Sequence, residues 1–118
     1  MALTKSATTI LASQPVGAAA TVTGSGIDLT AGYGGEFVWK ITNGASAPTT
    51  PPTIEIQVSP DNSNWYRKQL ITGDTVANSA NSQALPCSVG TMYARAIFIG
   101  GATNGSTMAC MLEQVTSY

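Results

Sequence analysis

Four stretches of the chain alternate apolar and polar side chains with a period of two, the pattern a strand needs when one of its faces is buried. From Glu36 to Thr42, Phe37, Trp39 and Ile41 share one side, and Glu36, Val38, Lys40 and Thr42 share the other. From Thr53 to Ser59, Ile54, Ile56 and Val58 oppose Thr53, Glu55 and Gln57. From Thr91 to Ile99, Met92, Ala94, Ala96 and Phe98 oppose Tyr93, Arg95, Ile97 and Ile99. Both sides of this third run are apolar apart from Arg95, which predicts a central strand or one whose outer face is covered. From Thr107 to Val115, Met108, Cys110 and Leu112 oppose Thr107, Ala109, Met111, Glu113 and Val115. The expected core anchors are Phe37, Trp39, Ile41, Ile54, Ile56, Val58, Trp65, Ile97 and Phe98.

Turn chemistry separates these runs. Pro60-Asp61-Asn62-Ser63-Asn64 is a strong turn, and Trp65 to Ile71 resumes extension, so a hairpin is expected there. Asn104-Gly105 predicts a second hairpin that joins the last two strands. Pro48, Pro51 and Pro52 make the segment after Asn43-Gly44 a stiff connection or a protruding loop, since proline has no donor to give a sheet. Gly73-Asp74 marks a further turn, and Ala84 and Leu85 form a short strand before Pro86. Glycines around Ser25 and Tyr33 mark loops.

Residues 1 to 20 are rich in Ala, Thr and Ser and are broken by Pro15 and Gly17. Thr8, Thr9 and Ile10 are β-branched and favour extension. This part reads as an extended N-terminal arm that adds a strand to a sheet edge or to a neighbour, with disorder as the other reading. No segment has a helical period. Apolar strand faces with no helix to cover them must cover each other. The expected fold is therefore all-β: an antiparallel β-sandwich, jelly-roll or Ig-like, of roughly seven or eight strands over residues 21 to 118, with a closed barrel as the alternative.

Composition sharpens the picture. Only 9% of the 118 residues are charged and the formal net charge is -1, against about 25% charged in a typical soluble domain. A surface of Thr, Ser, Asn, Gln and Gly is weakly protected against association. The five cations Lys5, Lys40, Arg67, Lys68 and Arg95 are dispersed, which argues against direct nucleic-acid binding. No run has the length of a membrane-spanning helix, and no membrane association is expected. Thr8, Thr9, Ser13 and Gln14 interrupt the apolar patch at Ile10 and Leu11, so a secretory leader is not expected there. Cys87 and Cys110 are expected to be buried free thiols.

Chemistry-bearing motifs are scarce. The chain has no histidine and only two cysteines, which removes the commonest general base and the usual zinc ligand sets. No phosphate-binding glycine loop is present. A carboxylate pair formed by Glu36 and Glu55 on neighbouring strands, and calcium held by Asp61, Asn62 and Asn64, are weaker readings than solvated or turn-forming roles. Trp65 is expected to anchor its hairpin with Tyr66 at the rim; the alternative is an exposed pair that stacks on sugars or docks a partner. No enzymatic activity, catalytic residue, metal or cofactor is expected. The candidate partner-binding residues are Lys5, Ile10, Leu11, Tyr66 and Arg67.

The run Val58-Ser59-Pro60-Asp61-Asn62-Ser63-Asn64-Trp65-Tyr66 resembles a hairpin of small structural proteins of tailed bacteriophages and prophages. Met92-Tyr93-Ala94-Arg95-Ala96, followed by Asn104-Gly105-Ser106-Thr107, resembles their closing strands. The resemblance covers about half the chain. It implies a virion component, above all a head decoration or cement protein that is trimeric, binds the major capsid protein and assembles in the bacterial host cytoplasm. Tail or head-tail connector components, and carbohydrate or host-surface binding modules, are the alternatives.

Overall fold

The computed structural model describes residues 4–117. Nine strands follow in order: β1 (Thr4–Val16), β2 (Thr21–Thr23), β3 (Ile27–Asp28), β4 (Gly35–Asn43), β5 (Thr53–Ser59), β6 (Tyr66–Thr72), β7 (Ala80–Cys87), β8 (Tyr93–Ile99) and β9 (Ser106–Ser117). They form two antiparallel sheets. The first has the order β1-β9-β4-β7, and the second has β2-β8-β5-β6 with β3 also paired to β8. Neither sheet closes on itself, so the fold is a sandwich and not a barrel.

The alternation groups the residues of each face correctly, and the structure decides which face of β8 is the inner one. Phe37, Trp39 and Ile41 of β4 and Met108, Cys110 and Leu112 of β9 are buried from the first sheet. Ile54 and Ile56 of β5, Ile71 of β6, and Ala94, Ala96 and Phe98 of β8 are buried from the second. As expected, β5 and β6 form a hairpin and β8 is central, flanked by β5 and by β2 and β3. Pro86 is accommodated because β7 is an edge strand, where a missing donor costs no ladder bond.

Two expectations are corrected. The last two strands are not a hairpin: β8 lies in the second sheet and β9 in the first, so Gly100 to Gly105 crosses between layers. Glu36 and Glu55 are not on neighbouring strands, because β4 and β5 also belong to different sheets. Over Thr4–Val16 the arm adds a strand to the edge of the first sheet, the first of its two expected placements, paired with β9 from Thr4↔Ser117 to Val16↔Ser106. Register shifts between Thr9 and Gln14 let Ile10 turn inward, and Ile10 and Val16 both enter the core. Residues 1 to 3 of the arm lie outside the described residues.

Two close approaches depend on glycine. Gly35 has φ +152, and a Cβ there would collide with the Glu113 carbonyl across the ladder. Gly26 lies against the Trp65 ring, where a Cβ would sit 2.9 Å from Cζ2 and would collide with the Asn62 side chain.

Asn43, buried at the end of β4, ties three segments together. Its Nδ2 donates to the carbonyls of Asp74 and Val76, each at 3.0 Å, and to Asp74 Oδ1 at 2.9 Å. Its Oδ1 accepts from Ser106 Oγ at 2.7 Å.

Candidate interaction surface

The turn between β5 and β6 is built by Asp61. Its Oδ1 accepts from the backbone N–H of Ser63 at 2.9 Å and of Asn64 at 2.8 Å, and its Oδ2 accepts from Asn64 Nδ2 at 2.7 Å. The Ser59 hydroxyl donates to Oδ1 at 3.1 Å and accepts from the Asp61 N–H at 3.2 Å. The backbone bonds from Asn64 and Ser63 hold the Asp61 carboxyl far below the usual carboxylate range. The Asp61 oxygens, which suggested calcium together with Asn62 and Asn64, are thus occupied by donors of their own turn.

This turn delivers Trp65 to the outer side of the second sheet, half-buried against Gly26. The Arg95 guanidinium covers the ring 4.4 Å from its centroid. Arg95 Nε donates to Gln57 Oε1 at 2.7 Å, and Gln57 Nε2 donates to Glu55 Oε2. Glu55 Oε1 accepts from Arg67 Nε at 2.9 Å and Nη2 at 2.7 Å. The register explains the line: Gln57 stands between Arg95 of β8 and Arg67 of β6. The Arg67 side chain is 58% exposed, so solvent screening holds its ion pair to about 0.5 kcal/mol. The ladder's polar groups bond to one another, which makes it a preset surface.

Beyond the ladder, a cleft of about 450 Å³ opens between the β5–β6 turn and the segment from Ser88 to Met92. Val58, Pro60, Tyr66 and Met92 give it apolar walls. Tyr66 is 60% exposed. β6 has an extra residue here: Ile56 pairs with Gln69 and Gln57 with Arg67. That bulge turns Lys68 into the cleft, and Lys68 forms no ion pair among the described residues.

The partner-binding candidates therefore separate. Lys5, Tyr66 and Arg67 are exposed, and Arg67 is tied to Glu55. Ile10 is corrected from a partner-binding residue to a core residue, and Leu11 is half-buried against that core. The structure does not bring Lys5, on β1 of the first sheet, together with Tyr66 and Arg67, on β6 of the second. Six core anchors are buried as expected: Phe37, Trp39, Ile41, Ile54, Ile56 and Phe98. Val58, Trp65 and Ile97 are only half-buried. Val58 lines the open cleft, Trp65 lies beneath Arg95, and Ile97 is on the outer face because Ala94, Ala96 and Phe98 occupy the inner one.

Sequence reasoning missed the Trp65–Arg95 stack, the approach of Gly26, and the roles of Lys68 and Met92. The alternation put Arg95 on one face with Tyr93, Ile97 and Ile99, but the partner it finds there comes from another part of the chain. Cys87 and Cys110 are both free and buried. Burial pushes the Cys87 thiol up, and pushes Cys110 up to about 12. Cys87 pairs with Gly35 and Cys110 with Trp39, on opposite sides of β4. Strand spacing and rise place them about 17 Å apart, far beyond disulfide reach.

The architecture has close counterparts among solved structures. The PBSX exported protein XepA superposes on 96% of this chain with a TM-score of 0.63 and 14% identity. The chain spans only 37% of the length of XepA. The SPBc2 prophage-derived protein YomS matches with a TM-score of 0.51 and 14% identity, covering 96% of both chains. The sandwich is thus shared with an exported protein and a prophage-derived one. A structure of Bacillus endospore appendages, described as a family of disulfide-linked pili, matches 100% of this chain and 93% of its own, with a TM-score of 0.56 and 14% identity. At these identities the likeness is one of fold. No protein-family model and no curated protein sequence matches the chain.

Proposed function

We propose that this chain is a non-enzymatic structural protein of a virion, a decoration or cement unit that binds the outer shell of a capsid through the major capsid protein. The observation that carries the reading is the prophage-derived YomS fold, which accounts for 96% of both chains. The surface chemistry supports it: charge is scarce, and the Arg95–Gln57–Glu55–Arg67 ladder is satisfied within itself. A surface of this kind has little to reorganise on docking.

The test is cryo-electron microscopy of native particles together with capsid melting in the presence and absence of the purified chain. The expected result is density on the shell at a copy number set by capsid symmetry, and capsids that resist higher temperature when the chain is bound. Absence from the particle overturns the reading, and density confined to the tail or the head-tail joint replaces it with a connector role.

One observation favours a second reading. The exposed Tyr66 ring at an open cleft is the kind of surface on which a sugar ring stacks. Under that reading Tyr66→Ala abolishes binding to host-surface glycans with the fold intact, and no binding to a glycan array removes it.

A further inference from the structure

The outer face of the first sheet carries a charge arrangement that the isolated chain leaves unresolved. Glu36 of β4 stands directly opposite Glu113 of β9, in a row completed by Ala7 and Pro86. The next row is Thr9, Met111, Val38 and Ala84, and the one after holds Ala109, Lys40 and Ser82. Carboxylates directly opposed on adjacent strands repel. Among the described residues neither Glu36 nor Glu113 has an ion-pair partner, and neither has Lys40. Lys5 borders the acidic end of the face without pairing to either carboxylate. Between the acidic row and Lys40 lies an apolar strip in which Met111 is 39% exposed.

The geometry points to a second copy of this chain as the cover, stacked face to face about a two-fold axis that lies between the sheets along the Val38–Met111 row. That rotation reverses direction along the strands and preserves position across them. It sets Glu36 over Lys40 of the second copy, and Lys40 over Glu36 of the second copy, with Glu113 diagonal to the same lysine. The two apolar rows meet at the centre. The face is self-complementary, as a two-fold interface must be, and sheets stack in this aligned way at about 10 Å. Four strands and about four outward rows give roughly 500 Å² per copy, or about 1,000 Å² in total. That is the low end for a specific interface and means a weak, concentration-dependent dimer. The inference is independent of the virion reading.

Sedimentation of the full chain from micromolar to millimolar concentration tests it. The wild-type chain is expected to pass from monomer to dimer, with dissociation favoured by salt. Lys40→Glu makes the face wholly acidic around its centre, and Glu36→Lys with Glu113→Lys makes it basic. Each variant is expected to weaken self-association by more than about tenfold, and an equimolar mixture of the two is expected to form heterodimers. Far-UV circular dichroism checks each fold, and Met111→Arg is an independent disruption at the centre of the face. A wild-type chain that stays monomeric at every concentration overturns the inference. So does an oligomer that none of these substitutions weakens, or a mixture that forms no heterodimer.

Discussion

The Arg95 guanidinium lies 4.4 Å from the centroid of the Trp65 ring. Arg95 belongs to the central strand of the second sheet, and Trp65 ends the turn before its edge strand. The contact therefore fastens a polar surface turn to the middle of the sheet. Arg95→Ala is expected to cost about 1–2 kcal/mol, from the lost cation–π contact and the lost bond to Gln57. Arg95→Lys is expected to recover only part, since an ammonium lacks the planar face that covers the ring. Urea unfolding followed by tryptophan fluorescence measures both.

Ile10 tests whether β1 is part of the sandwich. Its side chain is 2% exposed within the shared core. Ile10→Ala is expected to destabilise the protein by about 2–5 kcal/mol, while Lys5→Ala, on the exposed part of the same strand, stays within about 0.5 kcal/mol. Equal, negligible effects in denaturant unfolding would show β1 to be dispensable.

Asn43→Ala removes the link between β9 and the loop after β6. It leaves Ser106 Oγ without its buried acceptor and strips donors from the Asp74 and Val76 carbonyls. The expected loss is about 2–3 kcal/mol. Asn43→Asp replaces the amide donor with a carboxylate that faces Asp74, and thermal unfolding is expected to place it below Asn43→Ala at neutral pH.

Acid stability follows from three carboxylates. Asp61 is held down by its turn N–H groups, Asp28 by the Thr30 hydroxyl and N–H, and Asp74 by Asn81, Ser79 and the Val76 N–H. A depressed native pKa means that the unfolded state binds protons first as pH falls. The stabilisation is fully present above the unfolded aspartate pKa of about 3.9 and is lost as pH drops toward the native values. Thermal melts are expected to be flat from neutral pH down to about 5 and to fall steeply below about 4. In Asp61→Asn that fall is shallower. An unchanged slope in the variant contradicts the assignment.

The thiols should report on the core. Thiolate is the reactive form, and burial disfavours it at both cysteines, most at Cys110. Alkylation of the native protein is expected to be slow, with Cys87 ahead of Cys110, and to become fast at both sites in denaturant. Mass spectrometry after timed quenching reads the order.

The sequence by itself determined the local half of the structure. A period of two forces every second side chain to the same side, so Phe37, Trp39 and Ile41, or Ala94, Ala96 and Phe98, had to share a face, and a chain with no helical period had to bury such faces sheet against sheet. The tight Asp61 turn was equally legible, because its donors and acceptors lie within a few residues. Only the tertiary structure decided what lay beyond that range. Alternation names a strand's two faces but not its neighbours, so it could not reveal that β8 and β9 part into different sheets. It could not reveal that bulges in β1 turn Ile10 inward, or that Glu36 meets Glu113. The same holds for the Trp65–Arg95 stack, since pairing between distant strands is set by how the whole set of faces closes on one core.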